Sequence, residues 1–177
     1  MNKRLPDNYS LRLLGPQTTD AAKIRFLKSL QTDLPADPHL IDLETAEAVA
    51  KIAMGSDFML LRSAARHALG AIAATGPQYG TYVLGVVADA MKECGDDRAD
   101  ILVNTHRAIQ TIVRHCPSAA DADLRESVKT ASQSDARIEV RVAATRTLAV
   151  IDENCSGLAP QRPGTGTAAS RPEATPR

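Results

Sequence analysis

The 177-residue chain has no tryptophan, two phenylalanines and three tyrosines. A core without large rings must be filled by alanine, leucine, valine and isoleucine. Such a core suits close helix–helix packing better than a thick sheet sandwich. Cysteine is equally sparse: Cys94, Cys116 and Cys155 are odd in number, widely spaced, and form no CxxC pair. That excludes a dense disulfide framework and reads as reduced thiols in a cytoplasmic-type compartment. Net charge is absent, since 21 Lys and Arg balance 21 Asp and Glu. No apolar run approaches a membrane span, and "LRLLG" behind the basic start is too short for a signal peptide, so a soluble, cytoplasmic protein is expected. A phosphate loop is missing too, because "GTGTAAS" lacks the lysine that should follow it.

Composition divides the chain into an N-terminal arm (1–17), a helical domain (18–155) and a tail (156–177). The tail, rich in Pro, Gly, Thr and Ala, cannot bury enough apolar surface to offset its ordering entropy and is expected to be disordered. It is mildly basic, with Arg162, Arg171 and Arg177 against Glu173.

Inside the domain a pattern recurs about every forty residues. "LRSAARHALGAIA" from Leu61 and "VRVAATRTLAVI" from Val140 align position for position. Between them "ILVNTHRAIQTIV" falls into register, with Ile101 at the place of Leu61, Thr105 of Ala65, Arg107 of His67, Ile109 of Leu69 and Ile112 of Ile72. Each copy carries an apolar stripe of helical period, and the small residue at Ala65, Thr105 and Ala144 lets a neighbouring helix approach. A first helix precedes each copy: "LETAEAVAKIAMG", "TYVLGVVADAMKECG" and "SAADADLRESVKTASQS", with Gly55 and Gly95 as stops. The last opens on Ser118 with Asp121 three residues on, a variant capping box. Gly76-Pro77 is expected to end a helix and begin a turn. Upstream, Thr19 caps a helix whose Ile24, Leu27 and Leu30 form one stripe, and "PADPHLIDL" is expected to be extended.

The third copy resembles the HEAT repeat through Asp135, Val140, Arg141, Ala143, Ala144 and Leu148. The first matches through Asp57, Leu61, Arg62, Ala64, Ala65 and Leu69. The middle copy departs, with Leu102 in place of the arginine and Asn104-Thr105 in place of the alanine pair. The resemblance, covering residues 43–151, implies an all-α fold: a short right-handed α-solenoid of about three helix pairs, here with an N-terminal capping helix. It also implies a ladder in which joint aspartates (Asp57, Asp97, Asp135) pair with Arg62 and Arg141 between neighbouring units, and second helices that line a concave side. An armadillo-like stack of this kind serves scaffolds, transport receptors, nucleic-acid proteins and some enzymes, so it does not settle function.

No constellation for chemistry stands out. His39, His67, His106 and His115 lack the spacing of a metal set, and adjacent His115 and Cys116 point about 100° apart on a helix. Ser63 and His67 lie one turn apart without a third group or oxyanion donor. The reading is therefore no catalytic residue, no metal and no cofactor. Charge is more informative. The second helices are basic (Arg62, Arg66, Arg98, Arg107, Arg114, Arg137, Arg141, Arg146), while the first helices lean acidic (Glu44, Glu47, Asp89, Glu93, Asp121, Asp123, Glu126). The expected function is a non-enzymatic protein–protein scaffold or adaptor. A partner segment, acidic or phosphorylated, would contact Arg66, His67, Arg107, Arg114 and Arg146. Nucleic-acid binding by the same face is the alternative, although aromatic platforms for single strands are missing. A HEAT-like lyase or enzyme accessory subunit is the third.

Overall fold

The computed structural model describes residues 12–94 and 98–155, which are all-α: seven α-helices and two 3-10 turns, without a strand among the described residues. Gly95, Asp97 and the tail from residue 156 lie outside them, as do the first eleven residues. The helices are α1 (Asp20–Asp33), α2 (Leu43–Gly55), α3 (Met59–Ala74), α4 (Pro77–Glu93), α5 (Ala99–His115), α6 (Ala122–Ser134) and α7 (Ile138–Cys155).

Local chemistry sets the starts. The Thr19 hydroxyl accepts from the Ala22 N–H, and the Asp42 carboxylate accepts from the Thr45 N–H at 2.7 Å. Asp121, rather than Ser118, caps α6, accepting from the Leu124 N–H at 2.7 Å. The expected capping box is therefore not formed, because Pro117 draws Ser118 into the 3-10 turn Pro117–Ala119. Pro77 does not prolong a turn but opens α4 at its first position, where its missing N–H costs nothing. The "PADPHLIDL" link is likewise not wholly extended, since Asp37 caps a 3-10 turn at Pro38–Leu40.

The packing joins α1 to α3, α3 to α5 and α5 to α7, while α2, α4 and α6 pair with α3, α5 and α7. The forty-residue register is visible in burial. Ala64, Asn104 and Ala143 are buried, as are Ala65, Thr105 and Ala144, then Ala68, Ala108 and Thr147, then Ile72, Ile112 and Ile151. The first position differs: Leu61 and Val140 are buried, whereas Ile101 is half-buried and its neighbour Leu102 is buried. Each fully enclosed Leu or Ile in these stripes contributes about 1.5–3 kcal/mol.

At the two described joints, those of Asp57 and Asp135, the expected ladder is not what the arginines build. Arg62 Nη1 donates to the Ser56 carbonyl at 2.5 Å, and Arg141 Nη1 donates to the Asp135 carbonyl at 2.6 Å. Ser56 and Asp135 also hold the same turn, accepting from the Phe58 N–H at 3.3 Å and the Arg137 N–H at 2.9 Å. Ser56, not Asp57, thus stands where Asp135 stands. Both arginines close the carboxyl end of their own first helix, and among the described residues neither forms an ion pair with a neighbouring unit; Asp97 lies outside them. Asp135 pairs with Arg137 at 2.9 Å, and Arg137 holds its carboxyl below the usual range. A backbone carbonyl is a neutral acceptor that the fold supplies at a fixed place, so the arginine needs no partner side chain.

Candidate partner-binding face

Among the cations of the second helices, several are already occupied. Arg62 and Arg141 cap carbonyls, Arg98 pairs with Asp100 at 3.7 Å, and Arg137 pairs with Asp135. Among the described residues Arg66, Arg107, Arg114, Arg146 and His67 enter no ion pair.

Arg107 and Arg146 come together. Both are exposed, and both line a hollow of about 310 Å³ between α5 and α7. Val103, Ala143, Val142 and Ile138 give it an apolar floor and lip, the last two 44% and 65% exposed, and Gln110 and Glu139 complete its border. Arg107 also borders a shallower hollow with Arg62, Asn104, Asp100 and Glu139. Arg66 belongs to the same positive field. It is half-buried, and its guanidinium is pushed below its ordinary value, first by burial and then by the charges of Arg107 and Arg62. Three arginines from α3 and α5 therefore sit close enough to repel. An arrangement that is costly without a counter-charge is favourable with one.

The other two predicted residues are not drawn in. His67 is exposed on α3, outside both hollows, and Arg114 occupies the last turn of α5, where a cation complements the helix dipole. The side chains that sequence reasoning missed are Ile138 and Val142. Their signal was available: both fall off the buried stripe of α7, at positions where the first copy has Met59 and Ser63. Met59 is itself 65% exposed, with Phe58 and Leu60 beside it at 43% and 57%.

The histidines and cysteines do not converge. No group of three His, Cys, Asp or Glu among the described residues is placed to hold a metal ion. His115 Nδ1 donates to the Thr111 carbonyl at 2.8 Å. Cys116 is buried at the end of α5, where its side chain occupies the space a Cβ on Gly80 would need. No hydrogen bond joins Ser63 to His67 among the described residues. No helix among these residues is long and apolar enough to cross a membrane.

Comparison of the chain with protein-family profiles, curated proteins and solved structures gives no match.

Proposed function

We propose that the chain is a HEAT-like helical-repeat scaffold, not an enzyme, that holds an acidic segment of a partner protein along α5 and α7. The repeat reading is supported by the shared burial register and by the twin Arg62 and Arg141 caps. In a right-handed solenoid, α3, α5 and α7 would line the concave side, with α1 as the capping layer against α3.

The observation that carries the binding reading is the hollow between α5 and α7. Two exposed arginines that enter no ion pair among the described residues flank an apolar floor with Ile138 and Val142 at its lip. An apolar anchor with carboxylates on either side complements it, and a strongly hydrated polyanion would leave Ile138 and Val142 unmatched. The site is accordingly Arg107 and Arg146 at the centre and Arg66 beside them, with His67 and Arg114 as outlying contacts.

Charge reversal at both central positions, Arg107→Glu with Arg146→Glu, tests this. Binding of a partner segment, or of an acidic amphipathic peptide as probe, is expected to fall at least about tenfold and to lose its salt dependence. Unchanged binding would refute the assignment. Salt-dependent retention of a DNA or RNA duplex, lost in the same variant, would favour the nucleic-acid alternative.

A further inference from the structure

The fold leaves a second opening, on the side of the first helices. α2 packs against α4, α4 and α6 pack less closely, and two adjoining hollows of about 250 and 290 Å³ lie along them, the second reaching Leu102 and His106 of α5 and Arg137 and Val140 of α7. Both are bordered by Met91 and Ser127, so they form one cleft. From Thr81 to Cys94 it follows α4 for about 20 Å at 1.5 Å per residue, the length of about six extended residues.

The near half has an apolar floor of Leu84, Gly85 and Leu124 and an acidic rim of Asp89, Asp121 and Asp123, against which stands one cation, Lys92. Lys92 already pairs with Asp89 at 3.2 Å, and Asp121 and Asp123 enter no ion pair among the described residues. A Cβ on Gly85 would meet nothing within 4 Å, so a backbone can approach this floor closely.

The far half carries an independent sign of a missing ligand. His106 forms part of it, is fully buried, and among the described residues has no hydrogen-bond partner at either ring nitrogen. Leaving such groups unmade is costly. A neutral imidazole needs one donor and one acceptor, and an extended peptide offers both from its backbone.

We propose that the α4–α6 cleft is a docking groove for an extended, basic segment of another protein, with an apolar residue on Leu84 and Leu124 and cationic side chains at Asp89 and Asp123. The occupant is opposite in charge to the one assigned to Arg107 and Arg146. The chain thereby becomes a two-sided adaptor.

The test uses the full chain and a fluorescein-labelled nine-residue peptide with a central leucine, two arginines and two lysines, followed by fluorescence anisotropy at low ionic strength. Saturable binding is expected. It should weaken at least about threefold in the double variant Asp89→Asn with Asp123→Asn, in which two exposed pairings are lost. It should be unchanged in Arg107→Glu with Arg146→Glu, which separates this groove from the other face. On saturation the ¹⁵N resonances of the His106 ring should shift. No binding, binding indifferent to the two aspartates, or an unmoved His106 ring would each overturn the proposal. So would affinity that rises more than about fivefold when the chain is ended after Cys155, an outcome that gives the groove to the chain's own residues.

Discussion

Two glycines on α4 separate packing from helix propensity within a single helix. A Cβ built on Gly80 would lie 2.5 Å from Cys116 Sγ and 2.7 Å from Cys116 Cβ, with Ala119 Cβ at 3.6 Å. A Cβ on Gly85, one turn and one residue further, would meet nothing within 4 Å. Alanine is favoured over glycine in a helix interior by about 0.8–1 kcal/mol, and that gain applies to both positions. At Gly80 it is opposed by overpacking against a buried side chain, which costs about 1–3 kcal/mol. Cys116 has little room to yield, because its own N–H is bound to the Ile112 carbonyl at 2.8 Å and Pro117 follows it. Gly85→Ala is therefore expected to stabilise by about 0.5–1 kcal/mol and Gly80→Ala to destabilise by up to about 2 kcal/mol, a difference of about 2 kcal/mol. Urea unfolding followed by circular dichroism at 222 nm measures both. A second variant fixes the cause: Cys116→Ala removes the nearer of the two clashing atoms, so the cost of Gly80→Ala should be smaller in that background. Equal stabilisation by both alanines would refute the close approach of α4 to the end of α5.

Three further outcomes are expected. Arg141→Met should lower stability by about 1–2 kcal/mol with little dependence on salt, because the lost hydrogen bond runs to the Asp135 carbonyl and not to a charge; urea unfolding at two salt concentrations checks it. Thr147→Val should cost about 1–2 kcal/mol in the same assay, since the Thr147 hydroxyl donates to the Ala143 carbonyl at 2.9 Å and accepts from Gln110 Nε2 at 3.0 Å, which valine leaves unpaired. Burial pushes His106 from its ordinary 6.5 down to about 4, with Asp135 opposing weakly. The unfolded chain then binds more protons between these values, so stability should fall as pH drops from 6.5 to 4, by at most about 3 kcal/mol, and His106→Leu should flatten that slope in thermal melts.

Much of the fold was legible because the repeat was written in aliphatic residues. Leu69, Ile109, Ile72, Ile112 and Ile151 are all enclosed where their spacing places them, and Thr19 caps its helix as its side-chain chemistry suggests, whereas α6 is capped by Asp121 and not by Ser118. The joints were harder to read. Asp57 and Asp135 look equivalent by residue type, yet the turn is built on Ser56 and Asp135, because a hydroxyl and a carboxylate both accept from the N–H two residues on. Pairing by type therefore shifted the register by one. Of the site, Arg107 and Arg146 were legible as equivalent polar positions, and the hollow joining them was not. It depends on Ile138 and Val142, whose place off the buried stripe of α7 was legible but whose meeting with Val103 of α5 was not. His67 lines neither hollow, so its place in the row did not bring it to the site.

The middle copy's departures follow from its place in the stack. α5 lies between α3 and α7 and also meets α2, α4 and the Pro117–Ala119 turn, and positions that remain half-open or exposed in α3 and α7 are covered in it. Arg62 and Arg141 become Leu102, which is buried, and Arg66 and Thr145 become His106, which is fully buried. An arginine at 102 would have to bring its charge into that covered position, where desolvation outweighs a single carbonyl bond. Leucine removes that cost and forgoes the carbonyl bond that Arg62 and Arg141 make in the flanking units. The same coverage explains why His106 stays neutral and why the cleft beside it lies between α4 and α6. Leu102→Arg should therefore destabilise the fold by several kcal/mol, while the same arginine at Ile101, which is only half-buried, should be tolerated far better; parallel urea titrations of the two variants decide it, and equal losses would refute the argument from coverage.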